Sequence, residues 1–141
     1  MGFSVNAATG EDDVTALMNA AESNNKNVVS YLIRHGADVN ATDFYNHQTP
    51  LMIASRSGSS EVVRILLQSN ADPNVETKPD HATALIMAAE VGNVESVRLL
   101  LSHGANKNAK TVGGSTPLSV ALIGGHKDVV RLLHDTTPLK G

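Results

Sequence analysis

One pattern recurs four times along this chain and leaves little freedom over its fold. TALMNAAESNN beginning at Thr15, TPLMIASRSGS at Thr49, TALIMAAEVGN at Thr83 and TPLSVALIGGH at Thr116 align without gaps, with starts separated by 34, 34 and 33 residues. VVSYLI, VVRILL, SVRLLL and VVRLLH follow at one fixed offset, and GADVN, NADPN and GANKN close the first three copies. Self-similarity at this period means a small unit repeated and stacked on its neighbours, not a single core wrapped once.

Within each copy the residues read as two short helices and a turn. In the second copy Thr49 is placed to N-cap a helix, Pro50 takes its first position, Leu51, Ala54 and Ser55 face inward, and Gly58 ends it. A further helix is predicted from about Ser60 to Ser69, with Val62, Val63, Ile65 and Leu66 on one face. Asn70 stops it at a place that favours a left-handed residue, and Gly36 and Gly104 hold the equivalent place. Helices of about ten residues fall short of the roughly 12 to 15 that persist alone in water, so the copies must stack in order to fold. The small pairs Ala20-Ala21, Ala54-Ser55 and Ala88-Ala89 let successive first helices approach closely, while bulkier Leu and Val on the second helices hold the other side apart and curve the stack.

These residues carry a resemblance to the ankyrin repeat. The T-P-L signature stands at Thr49-Pro50-Leu51 and Thr116-Pro117-Leu118, beside the paired small residues, the V-V-x-L-L run and the G-A-D-V-N-A segment from Gly36 to Ala41. The resemblance covers roughly residues 11 to 135 and implies an all-α ankyrin-repeat solenoid of four helix-turn-helix repeats joined by β-hairpin-like loops. Repeats are expected at about 11–41, 42–75, 76–109 and 110–135, with residues 1–10 and 136–141 as tails. The family usually has His after T-P-L, bonding across to the next repeat; Met18, Met52, Ile86 and Ser119 stand there instead, which puts that polar bracing in doubt. Asn40 to Thr49 and Asn74 to Thr83 each span nine residues, whereas Asn108 to Thr116 spans eight, the usual count, so the first two hairpins carry an extra residue. Val120, Leu122 and Ile123 lie in a copy with no following partner; either HDTTPLKG folds over that end or the chain was cut from a longer array.

Composition narrows the function. With 11 basic and 14 acidic residues the net charge is −3, and no broad cationic field is present to attract nucleic acid or anionic lipid. The chain has no cysteine, hence no disulfide or thiolate zinc site. MGFSVNAATGEDD has neither a basic start nor an apolar run of signal-peptide length, and no stretch approaches a membrane span, so a soluble protein of the cytoplasm or nucleus, monomeric by itself, is expected. A Gly2 lipidation signal is spoiled by Asn6, where Ser or Thr is wanted.

Catalytic chemistry finds no foothold. His35 and His103 share one repeat position two copies apart, about 20 Å at a helix-packing layer of roughly 8 to 10 Å. His47 and His81 are a layer apart, too far to share a zinc whose ligands lie near 2 Å. Glu11, Asp12 and Asp13 suit a helix N-terminus, VGGSTP lacks the Lys-Ser/Thr of a phosphate loop, and Asn40-Ala41-Thr42 is better read as the repeat's structural asparagine than as a glycosylation sequon. No enzyme, metal site or cofactor is read from these residues.

Repeat stacks present a concave surface of hairpin tips and first helices, and the resemblance implies that another protein or peptide binds there. The expected contact residues are Phe44, Tyr45 and Asn46, then Lys78, Asp80 and His81, then Thr111 and Val112 on successive tips, with Arg56, Glu90 and Ile123 on the first helices. Only four residues of the chain are aromatic, and two of them, Phe44 and Tyr45, stand side by side on such a tip, where aromatics serve as energetic anchors. Arg56 and Glu90 hold equivalent places in adjacent layers, so a simple surface pair between them is an alternative to partner contact. Two classes stay open: a free-standing interaction module, or the recognition part of a larger enzyme, ubiquitin-ligase adaptor, channel or effector. The resemblance also implies hydroxylation of Asn40, Asn74 and Asn108 by an asparaginyl hydroxylase, with Leu32, Leu66 and Leu100 at the spacing of its substrates.

Overall fold

The computed structural model describes residues 4–9 and 14–134. Helices fall in pairs: α1 (Ala16–Glu22) with α2 (Lys26–Arg34), α3 (Pro50–Ser57) with α4 (Ser60–Gln68), α5 (Ala84–Val91) with α6 (Val94–Ser102), and α7 (Pro117–Ile123) with α8 (Lys127–His134). The odd-numbered helices pack in one row and the even-numbered in a second. The one strand pair among the described residues is short and antiparallel, β1 (Ala8–Thr9) against β2 (Val14–Thr15).

Every first helix starts in the same way. The hydroxyl of Thr15, Thr49, Thr83 or Thr116 accepts a bond from the backbone N–H three residues on, at 3.1 to 3.4 Å. Each such cap stabilises its helix by about 0.5–2 kcal/mol. Gly58 and Gly92 end α3 and α5 at φ of 78° and 83°, a conformation that favours glycine. The second helices end at Gly36, Asn70 and Gly104, all left-handed.

The core is a chain of Leu, Val, Ile, Met and Ala running through all four pairs, with Ala21, Ala54, Ser55, Ala88, Ala89 and Ala121 buried where the first helices meet. In α4 the inward face differs by one residue from the expectation. Val62, Val63, Leu66 and Leu67 are buried while Ile65 is half-buried at its edge, because α4 packs at once against α3 and against the second helices on both sides. Val120, expected at an uncovered end, is buried instead: it holds the repeat position of Ile53 and Met87, turned toward the preceding repeat, whereas Leu122 beside it is 58% exposed.

Bracing between repeats comes from asparagine. Asn40 Oδ1 accepts from Asp72 N (2.7 Å) and its Nδ2 donates to Asn70 O (3.3 Å); Asn74 repeats the pair with Asn106 N (2.8 Å) and Gly104 O (3.0 Å). Asn6 does the same to Asp38 N and Gly36 O, so residues 4–9 hold the place of a loop from a further repeat. At the position where the family usually has His, Met18, Met52 and Ile86 are buried in the core, and Ser119 completes a capping box with Thr116.

Candidate interaction surface

Each hairpin tip is closed by a side chain at its base. In the first, Asp43 Oδ1 accepts from Asn46 N (3.0 Å) and Gln48 N (3.1 Å), which turns the intervening residues outward and leaves Phe44 75% and Tyr45 71% exposed. In the second, Thr77 Oγ1 accepts from Ala82 N, and in the third Thr111 Oγ1 accepts from Ser115 N. His47 (φ 60°), His81 (φ 62°) and Gly114 (φ 90°) hold the same left-handed place two residues before each threonine cap, so the extra residue of the first two tips lies ahead of it. The tips are then stitched into a row, Lys78 N donating to Asn46 O and Val112 N to Asp80 O, both at 2.9 Å.

Between this row and the first helices runs a groove of about 400 Å3. Arg56, Asp80, Glu90 and Thr111, four of the expected contact residues, line it together. Ile86, Met87, Ser115 and Val120 line it as well and were missed from sequence, although apolar residues three and four before the exposed helix position, one turn away on its face, were a signal for all but Ser115. Val112 (73% exposed) and Ile123 (86%) stand at the side of the third tip and α7. Arg56 does not pair with Glu90; its Nη1 donates to Gln48 Oε1 at 2.7 Å. His81 turns back along its own loop, Nδ1 lying 2.9 Å from Glu76 Oε1, and Asn46 contributes its carbonyl to the tip row.

The other singled-out residues lie elsewhere. Asn40 and Asn74 are engaged in the braces, while the backbone N–H of Asn108 donates to Asn106 Oδ1. His35 and His103 place Nδ1 2.8 and 2.9 Å from carbonyls of their helices' last turns. Among the described residues no three His, Asp or Glu side chains gather as a metal site, and no helix is long and apolar enough to cross a membrane. Glu11, Asp12, Asp13 and the tail 136–141 lie outside the described residues.

Paired helices at a fixed period, threonine caps and a row of tips along one face are the geometry of one family, and its sequence model, described as ankyrin repeats (3 copies), matches residues 2–77 and again 70–138. The chain belongs to the ankyrin repeat family. No curated protein matches it at a significant level. Ankyrin repeats are in general protein-binding modules and typically non-catalytic, which makes the groove and tips a candidate docking surface.

Proposed function

We propose that this ankyrin protein is a non-catalytic module, monomeric by itself, that binds a partner protein on its concave face through the hairpin tips and first helices. The observation that carries the reading is the exposure of Phe44 and Tyr45, half of the chain's aromatic residues, on a tip whose base is fixed by Asp43. Rigid aromatics held outside a core are the anchors on which interfaces depend. A stable interface buries about 800 Å² on each partner, more than one tip provides, so Arg56, Lys78, Asp80, Glu90, Thr111 and Ile123 belong to the same patch. The same surface serves whether the chain acts alone or as the recognition part of a larger protein.

The test is a quantitative pull-down from source-cell lysate with Phe44→Ala/Tyr45→Ala and, separately, with Arg64→Ala on the back of the stack. The tip variant is expected to weaken capture by more than about tenfold, near 1.4 kcal/mol, and the back variant to keep it. Equal retention by both, or loss from Arg64→Ala alone, moves the site off this face.

A further inference from the structure

Resting on that reading, we infer that the partner presents a basic side chain, best an arginine, into the groove between Asp80 and Glu90, carried on an extended segment with apolar residues to either side. Both carboxylates line the groove, and among the described residues neither is in an ion pair. Neither the cation in the same lining nor that on the same tip pairs with them. Arg56 lines the same groove but gives its Nη1 to the neutral Gln48, and Lys78, on the same tip as Asp80, forms no ion pair with it. Two carboxylates against one guanidinium leave the lining with one net negative charge.

Docking covers this groove and removes water from it. Carboxylates covered without a cation oppose association, whereas a cation from the partner turns the same desolvation into attraction and specificity. An acidic partner would set its charge against Asp80 and Glu90. Arginine fits better than lysine, because its planar fork can donate to two carboxylates at once. Its aliphatic stem also finds apolar surface, since Met87 and Val120 line the groove.

Spacing fixes the rest of the segment. Phe44 and Tyr45 on the first tip and Val112 on the third are two layers apart, about 16–20 Å at ordinary helix-packing distances. An extended segment of the polyproline II kind rises about 3.1 Å per residue and turns once in three, so residues three apart share a face; apolar residues that meet these two tips stand about six apart with the basic residue midway. The recognised pattern is therefore apolar–x–x–basic–x–x–apolar.

A random dodecapeptide library displayed on phage, selected against the full chain and then against an Asp80→Asn/Glu90→Gln variant, tests this. Selection on the parent is expected to enrich arginine or lysine at one position with apolar residues three away on each side. A synthetic peptide of the selected sequence, followed by fluorescence anisotropy, should lose at least tenfold in affinity when its basic residue becomes glutamine. It should lose a similar factor on the Asp80→Asn/Glu90→Gln variant, with no further loss when both changes are combined. Unaltered melting by circular dichroism shows that the variant is folded. Peptides that bind parent and variant alike, or acidic peptides lost only with Arg56→Gln, overturn the inference. Peptides without a basic preference that are lost with Phe44→Ala/Tyr45→Ala sink the cation and leave the docking face standing. Peptides indifferent to every one of these variants sink both, and a library that yields no enriched sequence rules out a linear segment as the occupant.

Discussion

Ser96 occupies a place that valine holds in the second and fourth repeats. Val62 and Val129 are fully buried there, Ser96 is equally buried, and its Oγ has no hydrogen-bond partner. A hydroxyl taken from water without a partner costs about 1–3 kcal/mol, and the surrounding contacts are those of a valine site. Ser96→Val is accordingly expected to stabilise the chain by about 1–2 kcal/mol, seen as a higher urea midpoint at unchanged slope. A lower midpoint would mean that the space beside α4 does not admit the two added carbons. The helix itself tolerates the change, since its cap is made by Asn93, whose Oδ1 accepts from Ser96 N at 3.1 Å.

Between elements, His126, the residue before α8, fits closely under the turn that ends α5. His126 Nε2 lies 2.9 Å from Glu90 O, so that nitrogen is the donor, and the ring fills the space beneath Gly92. A Cβ at Gly92 would enter the ring, whereas one at Gly58, the same position a repeat earlier, would meet nothing closer than 3.8 Å. Both glycines are left-handed, so alanine at either costs about 1–2 kcal/mol in backbone strain. Gly92→Ala is expected to lower stability by about 1–3 kcal/mol beyond Gly58→Ala, measured by denaturant melting. In a His126→Ala background that excess should vanish, which separates the clash from the strain. This fit also marks the limit of what the sequence made legible. Threonine caps and left-handed stops act within one repeat, and the buried small pairs recur at one place in each, so all were readable from local pattern. His126 reaches 36 residues back to Glu90, and its role exists only once the repeats are stacked. Asn6 escaped for a related reason: Val5, Asn6 and Ala7 copy V-N-A nine residues before Thr15, the spacing of Asn40 to Thr49, but without the helices that made the other copies plain. At the groove, the exposed helix positions were legible from their register, while the choice of Gln48 over Glu90 by Arg56 depended on how the tip folds.

Among the described residues the helix packing runs within each repeat and between neighbouring repeats, so stability is a sum of repeat and interface terms. The two ends of the chain do not contribute equally to that sum. Residues 4–9 hold the first repeat by the two side-chain bonds of Asn6 and the short pairing of β1 with β2, each hydrogen bond worth about 0.5–1.5 kcal/mol. Removing residues 110–141 strips α7 and α8 from the third pair and uncovers Ala89 and Val97, both completely buried in the intact chain, whose counterparts in the last repeat, Leu122 and Val130, are 58% exposed and half-buried. Full burial of one such branched side chain is worth about 1.5–3 kcal/mol, so this loss exceeds that of the N-terminal loop. The intact chain is expected to unfold in one cooperative transition. The chain without residues 1–9 should melt slightly earlier, and the chain without residues 110–141 much earlier and with a smaller denaturant slope, as less surface is left to expose. Denaturation of all three by urea, followed by circular dichroism, makes the comparison. A C-terminal truncation as stable as the parent would mean that the fourth repeat adds no interface energy, and an N-terminal truncation that is the worse of the two would place the dominant coupling in the asparagine braces instead of the helix rows.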